Sequence, residues 1–241
     1  MRNMMLVTLM LFISMVCSGQ TFLSKYSKLT NKNLSEFFSD WEVYSDSIAS
    51  KAAKNDSLIN LVVNYNYIPL LEGKTCESGV EAFPKYYVVP QYIKVERYYL
   101  DVDTTMAKLE FGFPSYIPDM KEEHYVVDSI TPVLTCRCLY LTTDIEKMLS
   151  VFVGGLKRGE KIDKIHKNTV KVLREYIPVD YGHWGGYWWF YSFPVIRGIC
   201  YADNLIAVMR RTSWCSGDVI WYKKENGIFK KQIKPVISWI E

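Results

Sequence analysis

The residues best suited to chemistry cluster in DYGHWGGYWWFYSF, residues 180–193. Eight of the thirteen residues from Tyr181 to Phe193 are aromatic, and Gly182, Gly185 and Gly186 leave the backbone between them free to turn. Three uses fit this composition. Flat rings stack on sugar faces or on another flat ligand, which nominates Tyr181, Trp184, Tyr187, Trp188 and Trp189 as a binding platform. His183, the one histidine in the segment, can serve as a general base oriented by Asp180. The third use is packing, with the rings burying apolar area in a core strand. Strand alternation predicts a mixture, one set of rings buried and the other lining a surface or pocket.

Arg197, Arg210 and Arg211 fall on neighbouring predicted strands and add a possible anion contact. Successive strand residues face opposite sides, so Arg197 can share a face with only one of the other two. Ordinary surface arginine is the competing reading. Aromatic and basic residues are not interleaved along one element, which argues against a groove for single-stranded nucleic acid. A net charge of +3, from 29 basic and 26 acidic residues, adds no whole-chain field for nucleic acid.

Other motifs are incomplete. Asp101, Asp103 and Thr105, after VERYYL, resemble the DxDxT motif of haloacid-dehalogenase-like phosphatases. There the first Asp is the nucleophile and the second the acid/base, beside a carboxylate-held Mg²⁺. That family also needs a parallel α/β domain and a late acidic pair. This chain offers antiparallel β patterns and only Gly217-Asp218, so local turn hydrogen bonding is the better reading. Met106 stands where a calcium loop needs Gly. GGLKRGEK, residues 154–161, has Glu160 where a phosphate-binding loop needs Lys, and follows a helix pattern instead of a strand. Neither G-x-S-x-G nor H-E-x-x-H occurs. Cys136 and Cys138 sit two apart in a predicted strand and so share a face, but no paired CxxC or suitably spaced His supports zinc. No metal and no cofactor is expected.

The N-terminus reads as an export signal. Arg2 precedes the apolar run Met4–Val16, which is too short to span a bilayer, and Cys17-Ser18-Gly19 supplies small residues for cleavage between Gly19 and Gln20. Residues 1–19 are thus the signal and 20–241 one domain, secreted or periplasmic. Lipid anchoring through Cys17 is the alternative, although Val16 departs from the usual residue before a lipidated Cys. Cleavage leaves Cys76, Cys136, Cys138, Cys200 and Cys215, an odd number whose pairing stays open. No later stretch reaches membrane-spanning length.

These residues need a scaffold. The chain is 49% hydrophobic and 23% charged, which excludes disordered and coiled-coil classes. Leu34, Phe37, Phe38, Trp41, Tyr44, Ile48 and Ala52 recur at helical spacing and predict a helix over 33–53, with Asn33 as its cap. A second helix is expected over 58–68, although that run suits a strand almost as well. Tyr86–Leu100 gives two extended pieces joined at Pro90-Gln91, and 101–124 is a long connection of the kind used as a lid or binding loop. Strands follow at Tyr125–Ile130 and Cys136–Leu141. Thr143 and Glu146 form a capping box that opens a helix to Val153, stopped by Gly154-Gly155. Another amphipathic helix runs from Ile162 to Tyr176. Five strands then form an antiparallel meander with turns at Asp203-Asn204, Ser216-Gly217 and Asn226-Gly227. The fold class is α+β: helices packed on a curved antiparallel sheet.

The end of that meander, with Lys223, Lys224, Asn226, Gly227, Phe229 and Lys230, is similar to the last hairpin of the nuclear-transport-factor-like (ketosteroid-isomerase-like) cone fold. The resemblance covers the last third of the chain. It implies a pocket between sheet and helices and no particular chemistry. The function expected is an exported binding or interaction module for a saccharide, a small flat ligand or another protein. A secreted hydrolase using His183 with a carboxylate, and a non-catalytic scaffold, are the alternatives.

Overall fold

Leu34, Phe37, Phe38 and Trp41 stand at i, i+3, i+4 and i+7, and helix α1 (Leu34–Ala52) buries all four. In this computed structural model the described residues are 22–52, 57–67, 85–99, 125–154, 164–182, 187–232 and 237–240. The leader with Cys17, Gly19 and Gln20, the 101–124 connection and loop 155–163 lie outside them, as do Cys76, His183 and Trp184. Asn33 behaves differently from the expected cap. Its side-chain oxygen accepts the Thr30 N–H at 2.7 Å and its amide donates to the Lys28 carbonyl at 3.0 Å. It thereby locks the preceding turn, while its own carbonyl accepts the Phe37 N–H.

Residues 57–67 form helix α2 (Ser57–Tyr67), because Ile59, Val62, Val63 and Asn66 make one buried stripe at helical spacing. Strands β1 (Tyr87–Pro90) and β2 (Ile93–Tyr98) match the two extended pieces but join different sheets. β2 pairs with β3 (Tyr125–Ile130), whereas β1 pairs in parallel with β4 (Cys138–Leu141). Cys136 lies in the bend before β4, so the shared-face argument for Cys136 and Cys138 does not apply. Cys136, Cys138, Cys200 and Cys215 are all free thiols.

The β1–β4 ladder separates two cores. Val88, Leu139 and Leu141 face α1 and the later helices, while Tyr87, Val89, Cys138 and Tyr140 face α2 and the large sheet. Polar bonds fix its position. The Trp41 indole N–H donates to the Tyr140 carbonyl at 2.9 Å, and the Ser45 hydroxyl accepts the Tyr140 N–H at 3.0 Å. On the first core's side, Phe38 stacks on Tyr176 at 4.4 Å between centroids and on Tyr86 at 5.9 Å.

Helix α3 (Thr143–Val153) starts one residue earlier than its motif suggested. Thr142 is the cap, its hydroxyl accepting the Ile145 N–H at 3.4 Å. Glu146 is thereby one position too late for a capping box. Gly154, at φ 89°, closes the helix with its N–H on the Ser150 carbonyl. Helix α4 (Lys164–Arg174) ends in a clamp: the Arg174 guanidinium donates twice to the Val179 carbonyl, at 3.0 and 2.8 Å. That clamp delivers the chain into β5 (Asp180–Gly182) and its partner β6 (Tyr187–Trp189).

Among the described residues the large sheet has seven strands. Its order is β10 (Ile228–Lys231), β9 (Ser216–Glu225), β8 (Leu205–Arg211), β7 (Val195–Tyr201), β2 and β3, with β11 (Ile237–Ile240) also on β9. All its pairs are antiparallel except β2 with β7. Asn226 and Gly227, at φ 52° and 81°, make the expected tight turn. Ser216-Gly217 open β9 instead of turning. The reversal lies just before them, where the Ser213 hydroxyl accepts the N–H groups of Cys215 and Ser216. Among the described residues, no helix is long and apolar enough to cross a membrane.

Candidate functional site

The β5–β6 register assigns the aromatic residues to two faces. Asp180 opposes Trp189, Tyr181 opposes Trp188, and Gly182 opposes Tyr187. Directly opposed residues share a face and successive ones alternate. Tyr181 and Trp188 therefore point one way, and Asp180, Gly182, Tyr187 and Trp189 the other.

The inner face belongs to the core. Trp188 is 6% exposed, its ring lies 5.2 Å from that of Tyr181, and its indole N–H donates to the Gly154 carbonyl at 2.8 Å. Trp188 thus fastens the hairpin to the end of α3. Phe190, two residues on, is fully buried in the same core.

Among the described residues the outer face has one open ring. Tyr187 is 41% exposed, and the hydroxyl end of its ring lies over Gly182. A Cβ there would stand 2.7 Å from the tyrosine Cζ, so only glycine admits this placement. Trp189 is buried. Phe193 stacks on it at 5.4 Å and 9°, the Arg211 guanidinium lies 5.1 Å from its centroid, and Tyr191 meets it edge-on at 5.3 Å. Trp189 therefore supports the surface and does not itself present an open face. Among the described residues its buried indole N–H has no hydrogen-bond partner, a donor left over on this side of the hairpin.

Charged groups border the rings. Burial raises the pKa of the Asp180 carboxyl, and Arg174 only partly offsets it. Glu146 on α3 is raised in the same way, with the Arg197 guanidinium opposing. Tyr191 is pushed up to about 12, first by burial and then by Glu146, again opposed by Arg197. Glu146, Tyr191 and Arg197 thus act on one another, and Tyr191 links them to Trp189. Glu146 was hidden in the sequence because its spacing from Thr143 suggested a cap.

The arginines separate as alternation requires. Arg210 is paired bidentately with Asp218 on β9, at 2.9 and 2.6 Å, and both side chains are largely buried. Arg211 faces the other side, over Trp189, and also reaches the Trp214 carbonyl at 3.4 Å. Arg197 is exposed at a register shift between Ile196 and Gly198, so it lies directly across from neither. Among the described residues no cluster of His, Cys, Asp and Glu could hold a metal ion. Burial pushes the Cys138 thiol up to about 12 and raises that of Cys136. No protein family, no curated protein and no solved structure matches the chain.

Proposed function

We propose that the chain is an exported, non-catalytic binding module that takes a ring-shaped ligand of the saccharide class on the outer face of the β5–β6 hairpin. The observation that carries this reading is Tyr187, an exposed ring seated over a glycine that no other residue can replace without moving it. On the same face, the Phe193–Trp189–Arg211 stack stiffens the surface. Asp180 on the same face offers a polar group for sugar hydroxyls. The export half of the proposal rests on the leader at residues 1–19. The site stands on a hairpin outside the large sheet, so the reading does not depend on the cone-fold resemblance.

The test is a thermal-shift panel of oligosaccharides on the wild type and on Tyr187→Ala. A ligand at a hundred times its dissociation constant adds about 2.7 kcal/mol, or roughly 5–10 °C at this size. The shift is expected in the wild type and lost in the variant. A shift retained in Tyr187→Ala refutes this placement of the site.

The raised carboxyl of Asp180 favours a second reading, a hydrolase in which Asp180 works with His183. In that case glycan turnover is measurable and disappears in Asp180→Asn while ligand binding persists.

A further inference from the structure

The β9–β10 hairpin holds Lys223, Lys224, Lys230 and Lys231, with Glu225 the only acid among residues 223–231. The whole chain carries a net charge of only +3, so this short hairpin concentrates as much positive charge as the entire chain has in excess. The register places Lys223 directly opposite Lys230. Like charges opposed across antiparallel strands destabilise the pair. Glu225 meets Lys230 at 3.3 Å, but both side chains are about half exposed and relieve little of the repulsion. Lysines on an outer strand protect a sheet edge from unwanted pairing. That explains β10, but not Lys223 and Lys224 on β9, which has β8 on its other side.

The other face of the hairpin pairs charge with rings. Lys224 lies over Phe229 at 5.7 Å, and Lys231 over Tyr65 of α2 at 5.5 Å. Tyr65 is 53% exposed, and Ile228, just past the turn, is 66% exposed. Lysines on both faces, an aromatic flank and a bare aliphatic tip form an amphipathic projection. It sits by Leu205 at the start of β8, whereas Arg211 and the aromatic hairpin sit at that strand's far end.

We propose that the β9–β10 hairpin, with Tyr65 beside it, docks on an anionic lipid bilayer. Ile228 enters the boundary between headgroups and acyl chains, the four ammonium groups stay on the phosphates, and Tyr65 sits at headgroup level. A soluble polyanion satisfies the charges but gives exposed Ile228 no role, which favours the membrane.

The test measures partition of the full chain into phosphatidylcholine vesicles with and without about one third phosphatidylglycerol. The N-terminal run, with Arg2 and the terminal ammonium, adds its own background to the ratio, which wild type and lysine variants share, so the hairpin's part is the change between them. Each lysine near an anionic surface contributes about fivefold, so three net charges give a ratio on the order of a hundredfold. Lys223→Gln with Lys230→Gln lowers the ratio about 25-fold, and high salt collapses it. Ile228→Ser weakens binding to anionic vesicles several-fold. Circular dichroism melts check that the variants fold, and Lys224→Gln with Lys231→Gln on the opposite face gives the same loss if the first pair does not. A ratio near one, or one that survives both lysine pairs, overturns the proposal. Anionic binding that Ile228→Ser leaves unchanged overturns it in favour of a soluble polyanion.

Discussion

Replacing Trp188 by Phe removes the indole N–H that reaches the Gly154 carbonyl at 2.8 Å and the distal benzo edge of a side chain only 6% exposed. Gly154 is half-buried, so water can partly satisfy its abandoned carbonyl, and the hydrogen-bond loss is about 1 kcal/mol. The missing benzo edge withdraws roughly 40 Å² of buried apolar area, another ~1 kcal/mol. A total of about 2 kcal/mol lowers the melting temperature by roughly 4–8 °C at this chain length. A circular dichroism melt reads this directly, and the shift produced by a bound saccharide should be unchanged, because Tyr187 stays in place on the other face. A melting temperature within a degree of the wild type's would refute the inner-face assignment. So would a variant of wild-type stability that no longer responds to ligand, since Trp188 would then belong to the binding surface.

Gly182→Ala puts a Cβ 2.7 Å from an exposed and movable ring. Its cost in stability is small, below about 1 kcal/mol, while ligand affinity by titration calorimetry falls as in Tyr187→Ala. Affinity at the wild-type level would show that the ring's seat does not matter. For Asp180 the folded pKa is raised above the ordinary 3.8, so its contribution to stability is fully present below the unfolded value and is lost as pH rises through the folded value. Asp180→Asn therefore gains stability relative to the wild type from about pH 4 upward and levels off towards neutrality, which urea melts across that range would resolve. A difference of the opposite slope would mean that the carboxyl is held ionised. Arg210→Ala and Asp218→Ala form a double-mutant cycle whose coupling should reach about 1–3 kcal/mol, because the pair is bidentate and largely buried; a coupling near zero would class it with surface pairs. Gly227→Ala meets no atom within 4 Å yet keeps φ 81°, so it costs about 1 kcal/mol from backbone strain alone.

What could be read from the chain divides along the range of the forces involved. The apolar stripe of α1, the Asn226-Gly227 turn and the opposite facing of Arg210 and Arg211 follow from spacing and local sterics, and the structure keeps all three. Offsets of one to three residues occur where nearby residues of one type compete. Thr142 and Thr143 both suit a cap, and the choice of Thr142 removes Glu146 from capping and leaves it to the surface near Arg197 and Tyr191. Ser213 and Ser216 both suit a turn, and the reversal forms at the former. Non-local pairing left no local mark. Nothing within YVVP says that it runs parallel to Cys138–Leu141, or that β2 lies parallel to β7 about a hundred residues away. The aromatic segment shows the same boundary inside a single motif. Alternation required that its rings divide, but which set goes inward depends on α3 ending at Gly154, where a carbonyl waits for Trp188 and not for Trp189. Which rings face outward is therefore decided by a helix terminus more than thirty residues upstream, which is why a ring count alone does not single out Tyr187 as the exposed one.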